Sequence, residues 1–292
     1  MKVLVTGSSG FVGKDVCAEL KRKGHSVIEY DLNKGKSILN EEQVLTEMKK
    51  AQAVVHLAGI VESTNPTLWE INVTGTQNVA QSAVLAKVKK LIFMSTMGVY
   101  GFTKGAVNEK TQIEPKNLYE KSKTAGEKII LGVKDKVHVN IIRSAMIFGA
   151  NEYWKKMFSM LQKKSLLPCR GTNTFQVIYV KELARATVQV LSKGKRGETY
   201  LVSGEEKKTL NEFCEMAQKE LGVEVVVKHI PTWVGVFLGK ILGIKLLTLE
   251  NIRHISKERN YDTSKIKKIG YKQKIALENA IKEVVKEFKK KN

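Results

Sequence analysis

MKVLVTGSSGFVG, residues 1–13, holds a strand signal, a turn signal and a helix signal in immediate succession. Lys2 to Thr6 is a short, apolar, β-branched run with the composition of a buried parallel strand. Gly7, Gly10 and Gly13 follow at a spacing of three, and an apolar run opens on Phe11 and Val12. A strand that runs into a glycine turn and then a helix makes a phosphate site. The glycines permit a tight turn, close approach of backbone to pyrophosphate and close packing of helix on strand. The helix N-terminus adds N–H groups and partial positive charge. A glycine triplet can equally be a tight turn that holds nothing. Asp31 separates the two readings. It ends the next apolar strand, Ser26–Tyr30, eighteen residues past Gly13, where a carboxylate can hydrogen-bond adenosine ribose hydroxyls. The combination predicts a dinucleotide site, and a carboxylate there repels a 2′-phosphate, which favours NAD over NADP.

The bulk properties narrow the partners. A length of 292 residues suits one large α/β unit or two domains sharing a core, and an apolar fraction of 42% is ordinary for a globular protein. No run approaches the roughly 18 apolar residues that span a bilayer, and Met1 leads into a strand with no signal-peptide pattern. Cys17, Cys169 and Cys214 are scattered without metal spacing, so neither a metal site nor a disulfide framework is expected, and a reducing compartment, by default the cytoplasm, is. The formal charge of +21 raises nucleic acid as a partner. However, 43 of the 50 cations are lysines, spread along the chain with no aromatic-interleaved module, zinc pattern or basic helix. No nucleic-acid partner is expected. The plain reading is a solvated lysine-rich surface, with an anionic substrate or anionic lipid as the alternatives such charge would serve.

Working outward, Phe11 to Lys23 has helical spacing and stops at Gly24. Lys34–Asn40 reads as a loop with at most a stub of strand at Ser37–Leu39, and Glu41–Lys50 as an exposed amphipathic helix. Ala53–Leu57 is the next buried strand and ends in HLAG, residues 56–59. Small residues at the carboxyl end of a parallel strand let a flat cofactor lie against the backbone, which brings Leu57, Ala58 and Gly59 into the site. His56 reads as a core histidine. Pro66 to Lys87 reads as one helical stretch, with Asn72 inside an otherwise apolar face. Asparagine is disfavoured in mid-helix, so Asn72 has a packing or hydrogen-bonding task. Lys90–Ser95 is another strand, and Ser95 and Thr96 put two hydroxyls at its carboxyl edge.

A helix expected from Pro115 carries Tyr119 and Lys123 four residues apart, on one face. A phenol with a pKa near 10 is a poor base at neutral pH. An adjacent ammonium stabilises the phenolate, so that tyrosine can exchange a proton with an alcohol or carbonyl. The same lysine can reach the nicotinamide ribose, and Thr96 would hold the reacting oxygen near Tyr119.

TGSSGFVG (6–13), Asp31, HLAG, Asn72, STMGVYG (95–101), YEKSK (119–123) and IIRSAMIFG (141–149) together resemble the extended short-chain dehydrogenase/reductase family, the NAD-dependent epimerase/dehydratase group. IYVKELARA (178–186) and the segment from Tyr261 to Phe288 are similar to later motifs of the same family. The resemblance implies an α/β fold: a Rossmann-type doubly wound parallel sheet over residues 1–150, completed by strands near 175–180 and 199–203, with 151–292 mainly a smaller substrate-binding domain. It implies Tyr119 as acid/base, Lys123 as its partner, Thr96 as the third catalytic residue and Asn72 as structural or proton-relay support. The cofactor contacts it implies are Gly7, Gly10, Phe11, Val12, Gly13, Asp31, Leu57, Ala58, Gly59, Asn72, Ser95, Tyr119, Lys123 and Ser144. It also implies a homodimer through helices near 66–86 and 116–132.

Departures from the family pattern bear on the substrate. Dehydratases of the family resemble one another in an Asp-Glu pair after the catalytic threonine; Met97 and Gly98 stand here, so dehydration is not expected. Nucleotide-sugar epimerases usually carry an arginine five residues before the position of Val180; Phe175 stands here, which removes a bidentate anion clamp unless Arg170 or a lysine substitutes. Arg143 is kept, but the proline usually beside it is Ser144, and Glu182 is preceded by Lys181. A helix across 150–168, with Trp154, Met157, Phe158 and Leu161, is expected either to cover the cleft or simply to pack. Val223–His229 reads as a strand. IPTWVGVFLGKILGIKLL, residues 230–247, is apolar nearly all round and reads as a buried or substrate-lining helix, with contact at a lipid surface as the alternative. It resembles the tail of the 3β-hydroxysteroid dehydrogenase and dihydroflavonol reductase branches more than that of the sugar branch. The final KKKN reads as a frayed tail.

The reading that results is an NAD-dependent oxidoreductase acting on a small-molecule substrate at a secondary alcohol or ketone, first as a sugar or nucleotide-sugar epimerase. A dehydrogenase or reductase of a bulky apolar alcohol is the alternative. A non-catalytic dinucleotide-binding protein is the reading from another class.

Overall fold

The computed structural model describes residues 1–103, 105–163, 166–241, 243–244 and 247–290. Leu242, Lys245 and Leu246 of the apolar stretch, and Lys291 and Asn292 of the expected tail, lie outside the described residues.

The strands in chain order are β1 (Lys2–Thr6), β2 (Ser26–Tyr30), β3 (Ala53–His56), β4 (Lys90–Thr96), β5 (His138–Ser144), β6 (Met146–Phe148), β7 (Val177–Tyr179) and β8 (Thr199–Val202). Six of them form one parallel sheet in the order β2-β1-β3-β4-β5-β8. Continuous apolar runs suit this sheet because both of its faces are covered. Val3 and Val5 pack into one buried cluster and Leu4 into another, the alternation that a two-sided sheet requires. From β1 the chain goes to one neighbour as β2 and then returns to the other as β3. This reversal opens a crevice at the carboxyl ends of β1 and β3.

The helices are α1 (Phe11–Arg22), α2 (Glu41–Met48), α3 (Gly75–Leu85), α4 (Leu118–Gly132), α5 (Glu152–Gln162), α6 (Val180–Lys193), α7 (Leu210–Leu221), α8 (Thr232–Ile241), α9 (Leu249–Ile255), α10 (Ser264–Lys268) and α11 (Leu277–Lys290). A third buried cluster lies away from the sheet. It joins Phe148, Trp154, Phe158 and Phe175 to Phe213 of α7 and to Ile281, Val284 and Phe288 of α11. The aromatic rings meet mostly edge to face, as Phe148 does with Trp154 at 4.9 Å between centroids. The chain passes repeatedly between this cluster and the sheet, since α6, β8 and α10 belong with the sheet and α7 and α11 with the aromatic cluster.

Several expectations are corrected. No strand forms at Ser37–Leu39: Ile38 instead packs on Gly75, where a Cβ would fall 2.5 Å from the Ile38 side chain. The stretch from Pro66 is not one regular helix, because a π-helical turn at Glu70–Thr74 precedes α3. The helix expected from Pro115 starts at Leu118. Asn117 and Glu120 form a capping box there, satisfying two amides that a start at the proline would leave open. The strand near 175–180 forms as β7, but it pairs with β6 in a separate two-stranded sheet and does not complete the main one. Val223–His229 is not a strand; one isolated bridge joins His229 to Leu167. α5 turns Trp154, Phe158 and Leu161 into the aromatic cluster; none of its residues lines the cleft at the carboxyl edge of the sheet, although Tyr153, Met157, Met160 and Leu161 line a smaller cavity of about 50 Å³. α8 is not a buried helix: of its residues only Gly235 and Gly239 are buried.

Candidate active site

The carboxyl edge of the sheet opens on a cleft of about 650 Å³. The glycine turn forms its phosphate end. Gly7 has φ of +71°, the left-handed region open to glycine, and a Cβ on it would come within 2.8 Å of the Ala58 amide nitrogen. On Gly13 a Cβ would fall 2.0 Å from the Gly7 carbonyl oxygen, so strand, turn and α1 can meet only without side chains at these points. α1 starts with no side-chain cap and no acidic residue in its first turn. Its first amides therefore face the cleft as an anion site. Asp31 is held by amides of the same region: Ser9 N–H donates to Oδ2 and Asn33 N–H to Oδ1, both at 2.9 Å.

Gly7, Gly10, Phe11, Val12, Gly13, Asp31, Leu57, Ala58, Gly59, Ser95, Thr96, Tyr119, Lys123 and Ser144 all line this one cleft. Asn72 is the exception. It is buried behind the wall and is not a lining residue. Its Oδ1 accepts from Ile60 N–H at 2.7 Å, and its Nδ2 donates to Ile60 O at 2.8 Å and to Ser122 Oγ at 2.9 Å. Asn72 thus ties the loop after β3 to α4, and the π turn that carries it accounts for a polar residue at this place. His56 sits in the core as expected. Its ring lies between Thr6 Oγ1 at 2.6 Å and Thr76 Oγ1 at 3.0 Å, and burial, with a smaller effect of the Lys123 charge, holds its pKa down to about 3.

At the other end of the cleft Thr96 closes β4. Its hydroxyl accepts from Gly98 N–H at 3.0 Å, and it shares the cleft with Tyr119, whose phenolate form it favours. One turn along α4, the Lys123 ammonium donates to Met94 O at 3.0 Å and lies 4.9 Å from the centroid of the Phe93 ring. Burial lowers the lysine pKa to about 8, against an opposing pull from Glu127. Burial pushes the Tyr119 phenol up to about 12; the Thr96 hydroxyl works against it and Glu120 adds to it. This corrects the expectation of a depressed phenol. Desolvation of the phenolate outweighs the nearby stabilising groups while the lysine spends its charge on a carbonyl and an aromatic face. Below the floor, Ser95 Oγ donates to Glu127 at 2.5 Å, and Arg143 forms a buried pair with Glu127 at 2.6 Å while donating to Tyr100 Oη at 2.6 Å.

The wall facing Thr96 comes from the segment after α9, which the sequence reading missed. Lys257, Arg259 and Tyr261 line the cleft there. Arg259 is buried, donates to His254 O at 2.5 Å and stacks 5.2 Å over the Phe175 ring. Among the described residues no carboxylate pairs with its guanidinium. Burial lowers its pKa, with partial relief from Tyr261 and Tyr153. Phe175 and Arg259 are joined by a backbone bridge, so the position where an arginine was expected holds an aromatic ring with an arginine from elsewhere against it. Being one of seven arginines among 43 lysines was the available signal.

A sequence profile described as the NAD dependent epimerase/dehydratase family matches residues 3–203. A 3beta-hydroxysteroid-dehydrogenase/decarboxylase isoform 2 of Arabidopsis thaliana is 24% identical over 98% of this chain and 61% of its own length. A human dTDP-D-glucose 4,6-dehydratase is 28% identical over 68% of this chain and 68% of its own. In three dimensions the chain superposes on a UDP-glucose 4-epimerase from Thermotoga maritima, solved with UDP-glucose, with a TM-score of 0.83 at 21% identity, covering 100% of this chain and 99% of that one.

Proposed function

The chain belongs to the NAD dependent epimerase/dehydratase family, and on that footing we propose that it is a sugar or nucleotide-sugar epimerase with Tyr119 as acid/base. The observation that carries the reading is that Thr96, Tyr119 and Lys123, one turn from Tyr119, line the same cleft as the glycine turn and Asp31. The glycine turn and the uncapped first turn of α1 fit a pyrophosphate, and Asp31 fits an unsubstituted adenosine ribose. Residues 1–150 with β8 would hold the dinucleotide and 151–292 most of the substrate.

Bound NAD would supply the acceptor for a hydride from the alcohol carbon and its return to the opposite face. Tyr119 withdraws the hydroxyl proton as the hydride leaves and restores it on return, which contributes about 10²–10⁴-fold in such sites. Thr96 fixes the oxygen between its own hydroxyl and the phenol. Lys123 supplies positive charge to the developing phenolate and to the ribose hydroxyls. The guanidinium of Arg259, which no carboxylate pairs among the described residues, supplies with Lys257 the anion clamp that Phe175 lacks, which supports a phosphate-bearing substrate. Met97 and Gly98 leave no carboxylate to eliminate water after the catalytic threonine, which sets dehydration aside.

Incubation with NAD and a UDP-hexose tests the reading. Interconversion of 4-epimers without net change in nicotinamide absorbance is the expected result. Stoichiometric formation of reduced cofactor with a bulky apolar alcohol, and no epimer exchange, would favour the second reading, for which the long alignment with the Arabidopsis protein speaks.

A further inference from the structure

α8 is built the wrong way round for a helix that serves a core. Gly235 and Gly239 form its inward face, where a Cβ would fall 2.3 Å from Pro168 Cβ and 2.6 Å from Leu247 Cβ respectively. The helix is thereby drawn close onto its support, and its large apolar side chains point outward. Trp233, Phe237 and Ile241, spaced by four, are 73%, 59% and 64% exposed. Leu166, two residues before Pro168, and Leu249, two after Leu247, are exposed as well and flank the row. None of the α8 residues lines the 650 Å³ cleft, so the face is not a substrate wall.

We propose that this face docks the protein on an anionic lipid surface. Charge selects the occupant. Residues 225–249 contain no aspartate or glutamate and carry Lys228, Lys240 and Lys245, in a chain of net charge +21. Lys228 and Lys240 are exposed, Lys240 on α8 itself beside the apolar row. A second copy of the chain would bring the same positive charge against this face, within the Debye length of about 8 Å at physiological salt. A convex helix with an aromatic row and flanking lysines suits the headgroup boundary, where tryptophan and phenylalanine are buried and lysine meets anionic lipid. α8 is too short to cross a bilayer and would lie in the plane of the surface. The proposal stands apart from the proposed catalytic activity.

The test is co-sedimentation of the full chain with vesicles of phosphatidylcholine alone and of phosphatidylcholine with phosphatidylglycerol. Binding to the mixed vesicles, a blue shift of tryptophan emission, and weakening as salt is raised are expected. Trp233→Ser with Phe237→Ser should lower the partition coefficient about tenfold or more while NAD binding reports an intact fold. Phe237→Ser alone should weaken binding in the same direction. Trp233→Phe should keep binding and lose the emission shift. Absence of binding to mixed vesicles overturns the proposal, as does equal binding to phosphatidylcholine alone or equal binding of the double variant. Self-association of the parent that the double variant abolishes would assign the face to a second copy and overturn it too.

Discussion

A half-buried phenol at about 12 and a buried ammonium at about 8 sit one helical turn apart, and each makes a separable prediction. Tyr119→Phe keeps the ring and removes the proton; kcat is expected to fall about 10²–10⁴-fold with NAD affinity unchanged by titration. Survival of full turnover would remove Tyr119 from the mechanism. For Lys123 the sign follows from linkage. Its folded-state pKa lies below the unfolded value of 10.5, so the unfolded chain binds more protons between about pH 8 and 10.5, and stability rises with pH across that window. Lys123→Met is therefore expected to be more stable than the parent at neutral pH, with the difference shrinking from pH 8 to 10.5 in denaturant titrations. A constant difference would show that the ammonium is not desolvated. Glycines and Asp31 were legible in the sequence because the chemistry of a tight turn is local. Arg259 was not, because it reaches Phe175 through a contact between segments 84 residues apart, and no spacing rule spans that.

At the scale of elements, α4 and β5 are locked by the Glu127–Arg143 pair, whose side chains are almost wholly enclosed. Removing one partner leaves the other charged, buried and unpaired. Arg143→Ala is expected to cost about 3–5 kcal/mol in urea unfolding, and Arg143→Met with Glu127→Leu to recover much of it. Equal losses in the single and double variants would mean that packing, not charge, holds the two elements. Buried strands and the amphipathic helices were readable from hydropathy because burial imposes its own period. The π turn at Glu70–Thr74 was not, since its extra residue exists to aim Asn72 at the loop after β3, a tertiary demand. Nor was the orientation of α8: a sequence apolar on all sides does not say which face docks, and two glycines decided it.

For the whole molecule, an excess of 21 positive charges sets a field that no single pair accounts for. If the substrate bears phosphate, kcat/KM should fall several-fold as salt is raised from about 0.02 to 0.3 M, while a neutral sugar shows little change. An identical salt response for both substrates would assign the charge to some other task. The overall sheet order was legible once the glycine turn was seen, because parallel strands with alternating helices admit few topologies. The division of the chain was less so, because β7 left the sheet to pair with β6 and the chain returned to the sheet afterwards.

That interlacing also fixes an order of events during synthesis. By the time β5 and β6 have left the ribosome, the glycine turn, Asp31, Thr96, Tyr119 and Lys123 are all available to assemble, whereas Lys257 and Arg259 have yet to be made. Phe213 of α7, on which Phe148 and Trp154 pack, and the α11 side chains of the same cluster are likewise made only after residue 203. A nascent chain halted at residue 203 would therefore offer a formed nucleotide crevice beside bare aromatic surface, and chaperone demand should concentrate in that interval.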